Sequence, residues 1–268
     1  MAPPVQEIMG VKFEGQGMIM KQHNSECCRC LCCQPNIDWD LHEYQVGNYN
    51  DLMGRDGKIF MKEDAPYVGR CCSYCYPGAR ATRFTATEGP SGRTLFTHEK
   101  SCSFPVSWLL MVTDGGPIRC PCCIAPLPSL TTKDAGGRVL GRSRYICDAC
   151  LFVPKFEIQD ANYNAIYRVR PDTCCLGCCV RCRCGGKKGK CLRVPFPIRS
   201  AVAPFDQVGD ACIGDLWAGL AHECCTKKNI YEIRFPTDGP MQKKPEAVMA
   251  TIIGAALLID ITTFEQDG

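Results

Sequence analysis

An apolar run near the C-terminus places the strongest constraint on how this chain can fold. Residues 247–264 (AVMATIIGAALLIDITTF) are mostly apolar, and Pro245 and Glu246 ahead of them form a good helix start. Eighteen residues is the lower edge of the length that crosses a bilayer. A helix that is apolar on all sides lies either in lipid or inside protein. The segment therefore needs a membrane or a shell of surrounding strands.

One carboxylate interrupts this apolar segment. The residues that define the predicted helix are Ala247, Ile252, Ile253, Leu257, Leu258 and Asp260. A carboxylate at the centre of a bilayer costs about 2.5–3.5 kcal/mol on insertion scales, and less when it lies off-centre. Inside a protein, Asp260 requires a hydrogen-bond partner or a position near an opening. Periodicity alone does not separate a membrane span from a buried core helix.

The middle of the chain has the alternating pattern of short strands separated by turn residues. Such runs cover 83–87, 93–97, 129–133, 138–146, 154–160, 165–170 and 231–235. Between most of them lie Gly, Pro, Asn or Asp residues, which mark hairpin turns. No helical pattern separates the strands. The fold class predicted from the residues is therefore an antiparallel sandwich or barrel.

Cysteine is unusually frequent, with 24 among 268 residues and seven adjacent pairs. Residues 1–18 lack an apolar run of signal-peptide length, so we expect a protein that is not secreted. In a reducing compartment thiols stay free, bind metal or carry lipid. Adjacent cysteines also pair poorly with each other, because a disulfide requires a particular separation and direction of the two side chains.

Several cysteines have the Cys-x-x-Cys spacing of a structural zinc site. The candidate zinc ligands are Cys147, Cys150, Cys174, Cys175, Cys178 and Cys179. Two such pairs brought together would form a tetrahedral thiolate site. In a chain this rich in cysteine the spacing also arises from density alone, and free cysteines pack well as small buried side chains. Zinc is therefore a possible cofactor here, and no cofactor is firmly predicted.

Basic residues are concentrated in one segment, although the net charge is only +3. They are Arg181, Arg183, Lys187, Lys188 and Lys190. Three glycines in the same segment indicate a solvated turn, and the alternative is a binding site for anionic lipid headgroups. A nucleic-acid partner is not expected because the overall charge is balanced. The four histidines are scattered, and no catalytic constellation or phosphate-binding loop is present.

The order of several short motifs resembles the phospholipid scramblase family. The motifs are Cys71-Cys72, Pro77-Gly78-Ala79-Arg80, Arg119-Cys120-Pro121-Cys122-Cys123, Leu140-Gly141, Pro154-Lys155-Phe156, the block 174–179, Phe235-Pro236, Leu257-Leu258-Ile259-Asp260 and Phe264-Glu265. Single pieces are weak, but their order together with the C-terminal segment is specific. The resemblance covers roughly residues 18–266. We therefore expect an N-terminal extension over 1–17 and one scramblase-like domain over 18–268.

The resemblance implies a tubby-like fold, in which a closed antiparallel barrel surrounds the C-terminal hydrophobic helix. It implies palmitoylation of Cys120, Cys122 and Cys123, because one acyl chain holds a protein to a membrane only marginally and neighbouring chains supply the second anchor. The implied function is bidirectional movement of phospholipids between leaflets by a protein at the cytosolic face of a plasma or organelle membrane. The implied partner is the phospholipid membrane.

Calcium binding is not carried over from the family. Its calcium segment is an acidic loop ahead of a strand that ends in Phe-Pro, whereas Lys227 and Lys228 stand in that loop here. Calcium requires six to eight oxygen ligands, usually including several carboxylates, and two ammonium groups repel it. The alternative function is a non-enzymatic scaffold in a larger assembly, with a cysteine-bound structural zinc and protein partners.

Overall fold

Fourteen strands and a C-terminal helix make up the described part of the chain. The computed structural model describes residues 5–15, 17–23, 36–44, 57–66, 80–103, 127–146, 153–173, 193–216 and 229–264. The strands are β1 Val5–Ile8, β2 Val11–Glu14, β3 Gly17–His23, β4 Asp38–Glu43, β5 Ile59–Asp64, β6 Thr82–Glu88, β7 Thr94–Lys100, β8 Ser129–Asp134, β9 Val139–Tyr145, β10 Phe156–Asp160, β11 Ala165–Val169, β12 Arg193–Ser200, β13 Gln207–Leu216 and β14 Ile230–Arg234.

Strands β3 to β14 form a closed barrel in which neighbours in sequence are neighbours in space. Every pairing is antiparallel, and the barrel closes where β14 pairs with β3, with Ile230 opposite Lys21. This confirms the mainly β, closed antiparallel barrel that the sequence predicts. Closure matters because an open sheet leaves unpaired backbone groups along its edges, whereas a closed barrel has no edge.

The connections between strands alternate between the two ends of the barrel. At the turn end, short turns follow Glu88, Asp134, Asp160 and Ser200, the last residues of β6, β8, β10 and β12. At the connection end, longer segments join β3 to β4, β5 to β6, β7 to β8, β9 to β10, β11 to β12 and β13 to β14. This division follows from the consecutive strand order, because each strand reverses the direction of the one before it.

The predicted hairpins are present, and their alternation separates the inside of the barrel from the outside. In β11, Tyr167 and Val169 are buried in the hydrophobic core, whereas Arg168 between them is not. Successive side chains of a strand point to opposite faces, so Arg168 lies on the outer surface. The turn between β10 and β11 is closed by Asp160, whose carboxylate accepts hydrogen bonds from the backbone N–H groups of Asn162 and Asn164.

The C-terminal apolar segment runs through the barrel. A short helix α1 (Gly239–Lys243) is followed by α2 (Pro245–Ile259) and by a π-helical turn (Asp260–Phe264). The chain leaves β14 at the turn end, and α2 carries it to the connection end. Every residue of α2 from Val248 to Ile259 is buried. Each fully buried Leu, Ile or Val contributes about 1.5–3 kcal/mol relative to exposure, so the helix is a large part of the core.

The β1–β2 hairpin is a separate two-stranded sheet that packs on the same core. It lies within residues 1–17, the segment that the sequence sets apart as an extension. Ile8 and Phe13 are fully buried and belong to the core cluster that contains α2. The hairpin therefore covers part of the helix near its first turns, with β1 in contact with α2.

Candidate functional site

Small residues allow α2 to lie directly against one side of the barrel wall. A Cβ atom added at Gly254 would lie 2.9 Å from Leu130 Cδ2 and 3.0 Å from His98 Nδ1. Those distances are shorter than normal carbon contacts, so the position requires glycine for the observed packing. Leu130 lies on β8, and α2 makes its most extensive contacts with β8 and the adjoining β9. The helix is therefore packed against protein along its length rather than loosely enclosed.

The only acidic residue of the apolar segment, Asp260, is buried with two hydrogen-bond donors. Its Oδ1 accepts a hydrogen bond from Tyr231 Oη at 2.8 Å and another from Asn229 Nδ2 at 2.6 Å. Asp260 is 2% exposed. A buried carboxylate is costly unless donors replace water. Tyr231 and Asn229 supply the partner that the sequence analysis requires for Asp260 inside a protein.

Two further polar contacts join the barrel wall near α2. His98 Nδ1 and Thr132 Oγ1 are 3.0 Å apart, and Ser143 Oγ donates to the backbone oxygen of Thr251 at 2.9 Å. Complete burial lowers the pKa of His98 to about 3, because a charged imidazole would lose its hydration there. The imidazole is therefore neutral at physiological pH. These contacts hold the helix in one rotational position against β8 and β9.

A fully buried ion pair lies at the connection end of the barrel. Arg80 Nη2 is 2.9 Å from Glu63 Oε1, and both side chains are 0% exposed. Glu63 also accepts hydrogen bonds from Thr82 Oγ1 at 2.5 Å and from the backbone N–H of Ile37 at 2.6 Å. Nearby, Lys100 Nζ donates to the backbone oxygen of Arg80 at 2.7 Å. This network ties β5, β6 and β7 together where the long connections begin.

A carboxyl group at this end is perturbed by burial. Half-burial raises the pKa of Asp38, and the N–H of Glu63, which donates to Asp38 Oδ1 at 3.1 Å, opposes that rise. Asp40 on the same strand lies 3.2 Å from His23 Nδ1. The described residues contain no group of three or more His, Cys, Asp or Glu side chains that could hold a metal ion. The connection end is thus polar, but its described part is organised by ion pairs and hydrogen bonds.

Most of the residues predicted from sequence to carry function lie outside the described residues. The acylation candidates Cys120, Cys122 and Cys123 lie between β7 and β8, and the basic residues Arg181, Arg183, Lys187, Lys188 and Lys190 lie between β11 and β12. Also outside are the zinc candidates Cys147, Cys150, Cys174, Cys175, Cys178 and Cys179, together with Lys227 and Lys228. The described cysteines are Cys102, which is exposed, and Cys212, which is buried.

The predicted hydrophobic helix is the part of the candidate site that the structure describes. Residues Pro245–Phe264 are long and apolar enough to cross a membrane by length and composition, with a mean hydropathy of 2.0. In the fold, however, 83% of the apolar window is buried inside the protein. Ile252, Ile253, Leu257 and Leu258 are all fully buried. In this structure the segment is the core of the barrel.

Sequence reasoning did not identify the residues that hold Asp260 and the helix. Tyr231 carried a usable signal, because it alternates with Glu232 and so shares a face with Ile233, which belongs to the core. His98 and the Glu63–Arg80 pair carried no such signal. Their significance depends on burial that only the barrel closure creates.

Comparisons with known proteins agree with this architecture. The family model described as Scramblase matches residues 111–266, which is more than half of the chain and includes β8 to α2. Phospholipid scramblase family member 5 of Homo sapiens is 28% identical over 179 residues, covering 65% of this chain and 58% of that protein. Phospholipid scramblase 1 of Homo sapiens is 31% identical over 160 residues, covering 59% of this chain and 43% of that protein.

A third relative, phospholipid scramblase 1 of Mus musculus, is 29% identical over 157 residues, covering 57% of this chain and 40% of that protein. The chain thus spans about half the length of the curated relatives that it matches. No solved structure matches it. The family model includes the apolar helix and seven barrel strands, which are the features that the sequence and the fold both single out. This chain therefore belongs to the scramblase family.

Proposed function

We propose that this protein is a membrane-associated phospholipid scramblase that moves phospholipids in both directions between leaflets. The observation that carries the proposal is the family match over residues 111–266, which spans β8 to the buried helix α2. The named relatives are phospholipid scramblases, so phospholipid is the substrate class. The reaction makes and breaks no covalent bond, which fits a chain whose sequence has no catalytic constellation.

The packing of the barrel restricts where lipid could pass. The interior is occupied by α2, and Met249, Ile253 and Leu257 on that helix are each 1% exposed or less. A phospholipid headgroup needs a hydrated or hydrogen-bonding route, and apolar packing offers none. We therefore place the lipid route along the outer surface of the barrel rather than through its centre. The helix then serves as the internal support on which the outer strands are held.

Attachment to the membrane is proposed to depend on acylation. Cys120, Cys122 and Cys123 form a closely spaced set between β7 and β8. Lys100 ends β7 and Ser129 begins β8, and both residues lie at the connection end. Two or more acyl chains in that segment would hold the connection end at the cytosolic face of a membrane. The basic residues between Arg181 and Lys190 lie between β11 and β12, whose joined ends are also at the connection end, and we propose that they contact anionic headgroups.

Control by calcium at the family position is not part of the proposal. Lys227 and Lys228 occupy the segment ahead of β14 where the family has an acidic loop. An ammonium group cannot ligate calcium. We expect that adding or chelating calcium changes the scrambling rate little. A strong activation by calcium would show that the ion binds at another position.

Reconstitution tests the transport proposal. The purified chain is placed in vesicles that contain a fluorescent phospholipid, and a membrane-impermeant reductant is added outside. Scrambling carries the inner-leaflet probe outward, so its fluorescence is lost as well. If the inner-leaflet probe stays as protected as in protein-free vesicles, the proposed function is wrong.

Acylation is tested separately by intact mass before and after hydroxylamine, which cleaves thioesters. We expect a loss of acyl mass from the wild type and no such loss from a variant with Cys120, Cys122 and Cys123 changed to Ala. The matched control is Cys102→Ala, which removes an exposed cysteine outside that set. Equal acyl mass on the triple variant and on the wild type would contradict the assignment.

A further inference from the structure

The outer surface of strands β9 to β12 carries a row of arginines in register. Arg144 on β9 lies opposite Glu157 on β10, Glu157 lies opposite Arg168 on β11, and Arg168 lies opposite Arg199 on β12. The inward neighbours of Arg168 and Arg199, such as Tyr167 and Ile198, belong to the core. The row therefore faces outward, and it places two cations side by side on adjacent strands.

Arg168 and Arg199 are not neutralised within the described part of the chain. Like charges directly opposite each other on neighbouring strands are destabilising. The one carboxylate in the row, Glu157, accepts hydrogen bonds from Arg144 Nε at 3.2 Å and from Gln159 Nε2 at 2.7 Å. No ion pair joins Arg168 or Arg199 to any described carboxylate, and both Nε atoms are buried without an acceptor. Two adjacent guanidinium groups without an acceptor form a site for an anionic group.

Exposed apolar and aromatic side chains stand beside these arginines at the turn end. Tyr163 and Phe205 lie in the turns after β10 and β12, with φ of 64° and 62°, a region that bulky residues rarely adopt. Tyr163 is 52% exposed, Phe205 39% and the neighbouring Val202 73%. Arg168 stacks on the Phe205 ring at 4.7 Å.

The second turn repeats this arrangement. Arg142 on β9 lies 5.9 Å from the centre of the Tyr163 ring. Its Nη2 also donates a hydrogen bond to Ser129 Oγ at 2.8 Å, so the guanidinium is held on the outer wall. Two neighbouring turns thus each present an aromatic side chain above an arginine. Exposed apolar tips above cations are suited to a surface that is charged outside and apolar beneath.

We propose that this arginine face, defined by Arg142, Arg144, Arg168, Arg199, Tyr163, Val202 and Phe205, docks on the surface of an anionic phospholipid bilayer. Arg168 and Arg199 bind lipid phosphate and carboxylate oxygens, while Val202 and Phe205 enter the interface between headgroups and acyl chains. Charge complementarity alone would also suit an acidic protein. The exposed apolar tips favour lipid, because they gain burial only where apolar material lies beneath the charged layer.

The docking proposal deepens the proposed function and rests on it for the class of ligand. It assigns to described residues a membrane contact that is separate from the predicted basic segment at the connection end. Docking places β9 to β12 against the bilayer, and a phospholipid moving along the outside of the barrel would meet these arginines. Binding can nevertheless be measured without any transport, so the two proposals can fail separately.

The test is binding of the full chain to vesicles, measured by flotation. The vesicles contain phosphatidylcholine alone or phosphatidylcholine with phosphatidylserine. Because a cation near an anionic leaflet contributes about fivefold in affinity, the double variant Arg168→Gln/Arg199→Gln should bind the anionic vesicles about thirtyfold more weakly than the wild type. Circular dichroism and thermal unfolding show whether the variant is folded.

A charge-matched control is available on the far side of the barrel. Arg83 on β6 and Arg93 beside β7 are exposed and pair with Glu99 and Glu88, respectively. Strand β6 lies opposite β12 in the twelve-strand order. The double variant Arg83→Gln/Arg93→Gln loses the same charge, and its affinity for anionic vesicles should stay within about twofold of the wild type because charges far from the contact are screened.

The outcomes separate the possibilities. Equal weakening of both double variants would show a general charge effect, and unchanged binding of Arg168→Gln/Arg199→Gln would show that another surface docks; either result overturns the proposal. Release of the wild type from vesicles by millimolar inorganic phosphate would indicate a free-phosphate site instead and would also overturn it. If the docking variants behave as expected but the wild type does not scramble, the proposed function fails and the docking surface stands.

Discussion

The interior around α2 and the arginine face treat charged groups in opposite ways. Inside, Asp260 is almost completely buried and accepts hydrogen bonds from Tyr231 and Asn229. On the arginine face, Arg168 and Arg199 lie opposite each other without a described carboxylate partner. The interior arrangement stabilises one position of the helix. The outer arrangement costs some stability, and that cost is expected where a surface is kept ready for a ligand.

The contrast predicts that stability and binding respond to different residues. Removing a group that satisfies a buried charge leaves its partner desolvated, so the loss is large. Removing a cation that repels its neighbour on the surface costs little or stabilises the fold. The following substitutions test that separation, in order of decreasing effect on the free energy of unfolding.

The largest loss is expected from breaking the buried Glu63–Arg80 pair. Glu63→Gln leaves Arg80 as an uncompensated charge, and we expect the free energy of unfolding to fall by about 3–5 kcal/mol in chemical denaturation. The matched control is Glu88→Gln, which removes the exposed pair with Arg93 and should cost no more than about 1 kcal/mol. Equal losses from the two variants would show that the Glu63–Arg80 pair is not buried in solution.

The second substitution tests whether α2 is packed as a core helix. Leu257 is fully buried, so Leu257→Ala should lower the free energy of unfolding by about 2–5 kcal/mol through lost burial and a cavity. Leu257→Met keeps most of the volume and should cost less than about 1.5 kcal/mol. Denaturant unfolding without lipid measures both variants. A loss below about 0.5 kcal/mol for Leu257→Ala would mean that this side chain has no packed environment.

The third prediction concerns acid. The pKa of His98 is lowered to about 3 by burial, whereas the unfolded chain has an ordinary histidine pKa near 6.5. The unfolded state therefore binds the proton first as the pH falls. The stability that depends on neutral His98 is fully present above about pH 6.5 and is lost progressively toward pH 3, by about 1.4 kcal/mol per pH unit.

A titration of unfolding free energy against pH measures this effect. Between pH 7 and pH 5 the wild type should lose about 2 kcal/mol more than His98→Gln, which cannot take up the proton. His98→Gln keeps a polar group that can reach Thr132, so its stability at pH 7 provides the reference. Parallel curves for the two proteins would show that His98 is accessible to water in the folded state.

The smallest effect on stability is predicted for the arginine face. Arg199→Gln removes the repulsion with Arg168, so the free energy of unfolding should stay unchanged or rise by up to about 1 kcal/mol. The same variant should bind anionic vesicles about fivefold more weakly. Loss of stability by more than about 1 kcal/mol would show that Arg199 contributes to folding, and the contrast with the interior would then fail.

The sequence predicts most clearly the parts of the barrel in which alternation and turn residues coincide. Strands β6 to β11 and β14 match the predicted runs because one face is apolar, the other is polar, and Gly, Pro or Asp marks the turns. Strand β3 was not predicted because almost all its residues are buried and it shows no alternation. Strand β12 contains Pro195 and Pro197, which normally argue against a strand within a sheet.

Residues joined by long-range pairing could not be predicted from sequence. Arg168 and Arg199 become neighbours only because β11 pairs with β12 across a long connection, and nothing local sets that register. The interior position of α2 was open as well, because its length and hydropathy fit a membrane span and a core helix equally well. The family resemblance favoured the barrel, since closure depends on pairing between β3 and β14 from opposite ends of the chain.

Hydrogen–deuterium exchange of the purified chain in lipid-free and detergent-free solution tests the central claim most directly. If strands β3 to β14 enclose α2, the backbone amides of residues 248–259 exchange only through global unfolding and are as protected as those of the barrel strands. Rapid exchange of that segment in water, with protection appearing only when bilayers are added, would contradict the account.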